Sequence, residues 1–134
     1  MRGNCAAISV TPRSVAGAQG EGGAGSARAD FVLGDRDGST CEPAFTAFVA
    51  ELLRALGHVV KINDPYKGVE LVRAYSSPAT GRHSLQVEIN KRLYMDEAAR
   101  RPHEGFAVLQ QHLLQLVDGV IDYGRHAARR RAGS

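Results

Sequence analysis

The segment from His83 to Glu97 reads His-Ser-Leu-Gln-Val-Glu-Ile-Asn-Lys-Arg-Leu-Tyr-Met-Asp-Glu, and its first half alternates between apolar and polar side chains. Because the side chains of a β-strand point alternately to opposite faces, this alternation predicts a strand with one apolar and one polar face. The apolar face carries Leu85, Val87 and Ile89, and the polar face carries Ser84, Gln86, Glu88 and Asn90. Alternation alone is typical of an edge strand whose polar face is solvated.

Upstream of this segment, a strand, a helix and a second strand are predicted in that order. Residues 31–33 and 59–62 are short apolar runs. Between them, residues 43–57 carry apolar side chains at helical spacing, with Pro43 suited to the first turn and Gly57 to the C-terminal end. This order favours a parallel crossover and hence an α/β layered sheet.

A second long helix is predicted near the C-terminus. Its apolar stripe runs from Phe106 to Ile121, with Pro102 suited to its start and Gly124 to its end. Residues 68–75 favour a short helix. The predicted fold class is therefore α/β, with a small mixed or mostly parallel sheet flanked by two long helices.

Both ends of the chain differ in composition from its middle. Residues 1–29 are rich in Gly, Ala and Ser and show no helical or strand period, which predicts a flexible segment. Within it, only residues 5–10 could form a short strand. Arginine dominates residues 125–134, which are predicted to be a basic disordered tail. The predicted folded region is residues 30–124.

Composition limits the classes of partner. The chain has 134 residues, of which 43% are hydrophobic, and no apolar run approaches the ~20 residues of a membrane-spanning helix. Four arginines after Asp122 account for the formal net charge of +3, so the folded region is near neutral and a nucleic-acid surface is not expected. Cys5 and Cys41 form no metal or redox motif, which makes a reducing cytoplasm the expected compartment.

Several motifs, in the same order, resemble the N-formylglutamate amidohydrolases, which are metal-dependent hydrolases related to the zinc carboxypeptidases and aspartoacylases. Gln-x-Glu at 86–88 and Tyr-Met-Asp-Glu at 94–97 are similar to the signature of that family. The other motifs are Asp-Phe-Val-Leu-Gly-Asp at 30–35, Gly-Ser-Thr-Cys at 38–41, Asn-Asp-Pro-Tyr-Lys-Gly at 63–68 and Gly-Arg-His at 81–83. The resemblance runs from about Asp30 to Tyr123. It implies that the chain is the C-terminal portion of such an enzyme, an incomplete part of a three-layer hydrolase-like domain.

The resemblance implies metal-dependent hydrolysis of the amide C–N bond of an N-formyl or N-acyl amino acid. It implies that Glu88 activates the attacking water and passes its proton to the leaving nitrogen, a role that suits a carboxylate on a rigid strand. A surface glutamate is the alternative. Gln86 shares the face of Glu88 and could orient it or bind substrate through its amide. His83 lies an odd number of residues from Glu88, so it faces the other side of a straight strand. A role near the substrate is implied for His83 by the resemblance alone, and a structural histidine is the alternative.

The substrates of the family carry carboxylates, which predicts a bidentate arginine. Arg73, eight residues after Pro65, is the candidate, with Lys67 and Asn63 as further substrate-binding residues. An ordinary surface arginine is the alternative reading of Arg73.

Zinc is the metal that the resemblance implies, and its ligands in the family lie upstream of the position of Asp30 in histidine-containing motifs. This chain has no histidine before His58, and its five histidines show no i, i+4 pair or other metal-ligand spacing. The sequence therefore predicts no intact zinc site in this chain alone. The competing function is a non-catalytic remnant or association module, whose uncovered apolar faces favour self-association.

Overall fold

The computed structural model describes residues 5–13, 29–96 and 98–133. The strands are β1 (Cys5–Arg13), β2 (Phe31–Gly34), β3 (Val60–Ile62), β4 (Arg82–Asn90), β5 (Met95–Asp96) and β6 (Arg101–Pro102). The helices are α1 (Pro43–Ala55), α2 (Glu70–Ala74) and α3 (Gly105–Ala132), with single 3₁₀ turns at Pro78–Thr80 and Lys91–Leu93. The short helix predicted for residues 68–75 is confirmed as α2.

The main sheet has the strand order β1-β4-β2-β3, and it is mixed. Strand β4 is parallel to β1 and antiparallel to β2, whereas β2 and β3 are parallel and are joined through α1. The predicted parallel crossover is therefore confirmed. The edge-strand interpretation of β4 is wrong, because this strand is paired on both sides.

One apolar core lies between the sheet and the two long helices. Leu85, Val87 and Ile89 of β4 are at most 4% exposed, and they join one cluster with apolar residues of β2, β3, α1 and α3. At the crossing of α1 and α3, a Cβ on Gly119 would lie 2.6 Å from Leu52 Cδ1, so glycine permits the close approach. The predicted α/β class, with a small sheet and two long helices, is confirmed.

The polar face of β4 is also mostly buried. Ser84, Gln86 and Asn90 are at most 4% exposed, and Glu88 is partly buried. Asn90 shows how such a face is satisfied: its Nδ2 donates to the Ala29 carbonyl at 3.2 Å, and its Oδ1 accepts from Arg92 N at 3.1 Å. Backbone groups of neighbouring segments replace water on this face, so the predicted solvation of the face is wrong.

The prediction that α3 spans Pro102 to Gly124 is wrong at both ends. Pro102 belongs to β6 and pairs with Met95, and the helix begins at Gly105. The helix continues through Gly124 to Ala132, because one glycine costs a helix only about 1 kcal/mol and arginine is a good helix former. Residues 125–132 are therefore helical, and not the disordered tail that was predicted.

The N-terminal predictions lie partly outside the described residues. Strand β1 includes the short strand predicted at residues 5–10 and extends it to Arg13. The flexible segment predicted for residues 1–29 otherwise falls largely on residues 1–4 and 14–28, which lie outside the described ranges. Within the described ranges, no helix is long and apolar enough to cross a membrane.

A hydrogen-bonded pair of histidines joins α3 to the turn that follows α1. His58 Nε2 and His112 Nδ1 are 2.8 Å apart and share a hydrogen bond, and His58 Nδ1 lies 3.6 Å from Asp30 Oδ2. Burial lowers the pKa of His58 and the neighbouring His112 lowers it too, although the Asp30 carboxylate acts in the opposite direction. Two imidazolium rings could not share this hydrogen bond, because neither would offer an acceptor. The spacing of the histidines in the sequence did not indicate this contact.

Candidate functional site

Glu88 and Gln86 contact each other on the face of β4 that points away from the apolar core. Gln86 Nε2 donates to Glu88 Oε1 at 3.2 Å, and Gln86 Oε1 accepts from Val69 N at 2.8 Å. The buried amide is thus fixed at one end by the backbone of the segment before α2 and at the other by the carboxylate. The two predicted residues are brought together, and Glu88 is oriented by its neighbour.

The segment that anchors Gln86 is held at the end of β2 by a close backbone approach. A Cβ on Gly34 would lie 2.7 Å from Gly68 N, so only glycine fits at position 34. Gly68 has a φ of +110°, which also favours glycine. Arg36 N donates to the Lys67 carbonyl at 2.6 Å, and Arg36 Nη1 donates to the Gly68 carbonyl at 3.2 Å. The two loops therefore form one surface beside Gln86.

Asp35 is a buried hydrogen-bonding centre that sequence reasoning missed. Its Oδ1 accepts from Asn63 Nδ2 at 2.6 Å and from Gly38 N at 2.8 Å, and its Oδ2 accepts from Thr46 Oγ1 at 2.7 Å. Burial alone would raise the pKa of Asp35, but the hydrogen bonds from Asn63, Thr46 and the Gly38 backbone lower it below its usual value. Asp35 is therefore an ionised carboxylate that fixes the Asn63 side chain.

Asn63, a predicted substrate-binding residue, is occupied by this centre. Besides its donation to the carboxylate, its Oδ1 accepts from Asp35 N at 3.0 Å. Its backbone has a φ of +55°, a conformation that asparagine tolerates better than most residues. The side chain of Asn63 therefore joins the ends of β2 and β3.

Thr40 and Cys41 lie in the segment between β2 and α1, which also contains Asp35, and both carry buried polar atoms. Thr40 is 1% exposed, and in the described part of the chain its Oγ1 has no hydrogen-bond partner. Cys41 Sγ lies 3.0 Å from Thr46 Oγ1, and burial raises the pKa of its thiol to about 11. The thiol is thus protonated at neutral pH and is no nucleophile. The sequence Gly-Asp-Arg-Asp-Gly at 34–38 is typical of a turn between β2 and α1. A turn-forming sequence, however, does not indicate that the Asp35 carboxylate is buried.

Lys67 and Arg73, the cationic candidates, are exposed and paired with carboxylates. Lys67 Nζ donates to Asp37 Oδ2 at 2.9 Å. Arg73 lies in α2 and forms a bidentate ion pair with Glu70, one turn before it. This pair raises the pKa of Arg73 and lowers that of Glu70 through their mutual hydrogen bonds. The structure therefore presents both cations at the surface near α2, each with a partner that a substrate carboxylate would have to displace.

His83 lies on the opposite face of β4 from Glu88, as the spacing predicted. It is 6% exposed, its Nδ1 accepts from Glu42 N at 3.1 Å, and its ring lies 6.3 Å from that of Phe45. Glu42 is the N-cap residue of α1, and its side chain makes no capping hydrogen bond there, because its Oε1 instead accepts from the Tyr123 hydroxyl. His83 therefore supports the N-terminus of α1, in agreement with its structural alternative.

A metal site is not assembled by the part of the chain that the structure describes. Among the residues whose side chains the structure describes, which lie within 29–96 and 98–133, no three His, Cys, Asp or Glu side chains lie in an arrangement that could hold a metal ion. Catalytic zinc needs about three protein ligands and an open position. The described residues do not fit a zinc ion.

A comparison with known protein families identifies the family to which this chain is similar. A family model described as N-formylglutamate amidohydrolase matches residues 4–95, which is more than half of the chain. The chain belongs to the N-formylglutamate amidohydrolase family. The match starts earlier than Asp30, where the sequence resemblance was expected to begin, and it includes β1.

Individual members of the family are similar over a limited part of their own length. An N-formylglutamate deformylase of Pseudomonas aeruginosa is 35% identical over 99 residues, which are 72% of this chain and 37% of that protein. An N-formylglutamate deformylase of Pseudomonas putida is 31% identical over 108 residues, which are 75% of this chain and 39% of that protein. The chain thus spans well under half the length of these relatives.

A solved structure extends the similarity to three dimensions. The N-formylglutamate amidohydrolase from Ralstonia eutropha JMP134 superposes with a TM-score of 0.82 and 41% sequence identity. The superposition covers 90% of this chain and 43% of that protein. The fold described above is therefore that of one portion of a family member.

Proposed function

We propose that this chain carries the part of an N-formylglutamate amidohydrolase-like site that positions the general base. The observation that carries the proposal is the arrangement of Gln86, whose amide bridges Val69 N and the Glu88 carboxylate on the central strand. A general base must be held in a fixed orientation within hydrogen-bond reach of the water that it deprotonates. A partly buried carboxylate on a paired strand meets that requirement better than one on a loop.

The proposed reaction is hydrolysis of the amide C–N bond of an N-formyl amino acid. Glu88 takes a proton from a water molecule as the water oxygen attacks the formyl carbon. The C–N bond then breaks, and Glu88 returns the proton to the departing nitrogen, so that formate and the free amino acid are released. Gln86 donates a hydrogen bond to Oε1 and keeps the carboxylate in place during both transfers.

The remaining predicted residues take substrate-facing or supporting roles in the proposal. Arg73 and Lys67 are exposed cations close in sequence to Val69, whose N–H binds Gln86. In the proposal, they bind the carboxylates of an acyl amino acid. Asn63 holds the loop in position through Asp35. His83 acts at a distance, through the N-terminus of α1.

Zinc, when bound in a family member, would polarise the formyl oxygen and acidify a water molecule. Because the described residues do not fit a zinc ion, we propose that its ligands come from a segment outside them. The steps assigned to Glu88 and Gln86 above concern only the transfer of the proton and the orientation of the Glu88 carboxylate.

A second function from another class competes with this proposal. A chain that spans 43% of the solved relative, and in whose described part no metal-ligand group is assembled, could act as a non-catalytic association module. The two functions differ in one measurable respect: only the first requires Glu88 for turnover when the remaining portion of a family member is present.

The test is a chimera in which residues 5–133 replace the equivalent region of the Ralstonia eutropha protein. We expect formate release from N-formyl-L-glutamate in the presence of zinc, and a loss of about 10²- to 10⁴-fold in kcat for Glu88→Gln, the usual contribution of a general base. Glu51→Gln, on the exposed side of α1, is the matched control and should leave turnover unchanged. An inactive folded chimera, or a Glu88→Gln chimera with near-normal kcat, would refute the proposal and favour the association module.

A further inference from the structure

Three hydrogen bonds in series connect the guanidinium of Arg36 to the carboxylate of Glu88. Arg36 Nη1 donates to the Gly68 carbonyl at 3.2 Å, and the N–H of the same peptide group, on Val69, donates to Gln86 Oε1 at 2.8 Å. Gln86 Nε2 then donates to Glu88 Oε1 at 3.2 Å. The Gly68–Val69 peptide group and the Gln86 side-chain amide together form an amide relay, in which each amide accepts from the side of the cation and donates toward the carboxylate.

All links of the amide relay point in the same direction. A positive charge beside a carbonyl oxygen draws electron density through the amide and makes its N–H a stronger donor, so successive links strengthen one another. The middle of the relay is shielded from water, since Gln86 is 2% exposed. Hydrogen bonds that donate to a carboxylate favour its ionised form. The charge of Arg36 is therefore expected to stabilise the ionised Glu88 without contacting it.

An unusual backbone conformation holds Arg36 at its end of the relay. Arg36, Asp37 and Gly38 have φ values of +50°, +57° and +82°, and two consecutive non-glycine residues in the left-handed region are uncommon. Such a conformation is unfavourable and persists only where the surrounding contacts fix it. Here the Arg36 carbonyl accepts from Ser39 Oγ at 2.7 Å, and a Cβ on Gly68 would lie only 3.4 Å from Arg36 Cγ. The turn thus places the Arg36 side chain directly against Gly68.

Arg36 differs in its contacts from other charged groups on the elements beside β4. Among the side chains that the structure describes, four of these cations form ion pairs, which are Lys61 with Asp64, Lys67 with Asp37, Arg73 with Glu70 and Arg92 with Asp30. The Asp35 carboxylate is turned toward α1, where it binds Thr46. On β4 itself, Arg82 shares the face of Glu88 but lies six residues away, or about 20 Å along the strand. Arg36, in contrast, directs its charge into a carbonyl of the relay.

We propose that Arg36 is a positioning residue that polarises the amide relay and thereby keeps the Glu88 carboxylate ionised and oriented. Its importance for catalysis rests on the proposed function, in which Glu88 is the general base. The relay itself is a feature of the folded chain and can be tested without turnover. Two other roles of Arg36 predict different results: a purely structural link between the two loops, and a direct contact with the substrate carboxylate.

The relay is tested in the full chain by carbon-13 NMR of the glutamate carboxyl groups. The signal of Glu88 is identified by its absence in Glu88→Gln. We expect Arg36→Met to move the titration midpoint of Glu88 upward by at least about 0.3 pH unit, because a cation that favours the ionised form is lost. Arg36→Lys should restore the midpoint at least in part, because it returns the charge and a donor. The matched control is Lys61→Met, which removes a cation from the same face of the sheet, two strands away and outside the relay, and should move the midpoint less.

A break in the middle of the relay tests whether the effect of Arg36 passes through it. In a Gln86→Met background, Arg36→Met should have little further effect on the Glu88 midpoint, since both substitutions interrupt the same series of bonds. Fully additive shifts, an unmoved midpoint in Arg36→Met, or an equal shift in Lys61→Met would overturn the proposal. A purely structural arginine would lower the stability and leave the midpoint unmoved. Circular dichroism identifies any variant that fails to fold. If Gln86→Met does so, Arg36→Gln replaces it, because a donor without the charge should give a midpoint between those of Arg36→Met and Arg36→Lys.

The consequence for catalysis is measured in the Ralstonia eutropha chimera. Arg36→Met should move the acidic limb of the pH profile of kcat/KM in the same direction as the Glu88 midpoint, because that profile reports the ionisation of the free enzyme. The KM at the pH optimum should stay within about twofold of the native value. A rise of about 10- to 100-fold in KM with an unmoved Glu88 midpoint would identify a substrate contact and overturn the proposal. An unmoved acidic limb beside a shifted midpoint would refute Glu88 as the general base, while the titration would still support the relay.

Discussion

The apolar core and the polar strand-end cluster (Asp35, Asn63, Gly68, Val69 and Gln86) lie a few residues apart and are held together in different ways. In the core, contacts are non-directional, and Leu33, Leu53 and Leu85 are fully buried. In the polar strand-end cluster, the side chains of Asn63 and Gln86 each have specific hydrogen-bond partners, and Asp35 accepts three hydrogen bonds through its carboxylate. The stability of the core depends on how well its volume is filled, and that of the polar strand-end cluster depends on hydrogen-bond geometry. Substitutions should therefore change the stability by different amounts and under different conditions in the two regions.

The largest effect is expected for a cavity in the core. Leu85→Ala should lower the free energy of unfolding by about 2 to 5 kcal/mol, because it removes a fully buried side chain beneath both long helices. Urea denaturation followed by circular dichroism measures this change. Val108→Ala, at an exposed position, should change it by less than about 0.5 kcal/mol. A loss below about 1 kcal/mol for Leu85→Ala would mean that the core can collapse around the deletion.

A smaller and pH-dependent effect is expected in the polar strand-end cluster. Asp35→Asn should lower the free energy of unfolding at pH 7 by about 1 to 3 kcal/mol, because it replaces the ionised acceptor shared by Asn63, Thr46 and Gly38. The pKa of Asp35 is lowered in the fold, so its carboxylate stabilises the fold above its unfolded pKa of about 3.9. That stabilisation is lost as the pH falls through the folded pKa.

The pH dependence separates charge from shape at this position. Urea denaturation between about pH 2.5 and 7 should show the native chain losing stability on acidification more steeply than Asp35→Asn, so that the two curves converge at low pH. Asp37→Asn is the matched control, because Asp37 is exposed in the same turn. Parallel curves for the native chain and Asp35→Asn would show that the carboxylate contributes no more charge-dependent stability than an amide.

The same contrast explains how much could be predicted from the sequence. The core follows from periodicity, so the alternation at Leu85, Val87 and Ile89 and the helical spacing in α1 predicted both elements and their buried faces. Burial of Gln86 and Asn90 could not be predicted, because their partners are backbone atoms of Val69 and Ala29 that only the tertiary fold brings near. Glu88 was chosen as the candidate general base through the resemblance to a family, since alternation alone favours a solvated glutamate.

Three further differences between the predictions and the structure have identifiable physical causes. The end of α3 was predicted from Gly124, but a helix that is anchored on a core tolerates one glycine. The contact between His58 and His112 joins residues that are 54 positions apart, and no spacing rule applies at that distance. Asp35 was overlooked because a turn-forming sequence gives no indication of burial.

The smallest effect on stability is expected at Arg73, outside both regions. Arg73→Ala should leave the midpoint of urea denaturation unchanged, because its ion pair with Glu70 is fully exposed and solvent screens it. If Arg73 binds the substrate carboxylate, the same substitution in the chimera should raise the KM for N-formyl-L-glutamate by about 10- to 100-fold, the effect of losing a charge-assisted hydrogen bond. A surface residue with a binding role is therefore expected to change the KM and to leave the stability unchanged.

Glu70→Gln distinguishes that role from a structural one. In the structure, Glu70 occupies the guanidinium of Arg73, so a substrate carboxylate must displace it. Removing the competing charge should lower the KM if Arg73 binds substrate, whereas a structural ion pair would make Glu70→Gln and Arg73→Ala behave alike. Lys67→Ala serves as the comparison, because Lys67 is also exposed and paired, but with Asp37. An unchanged KM in both Arg73→Ala and Glu70→Gln would assign the carboxylate to another cation and leave α2 as part of the scaffold.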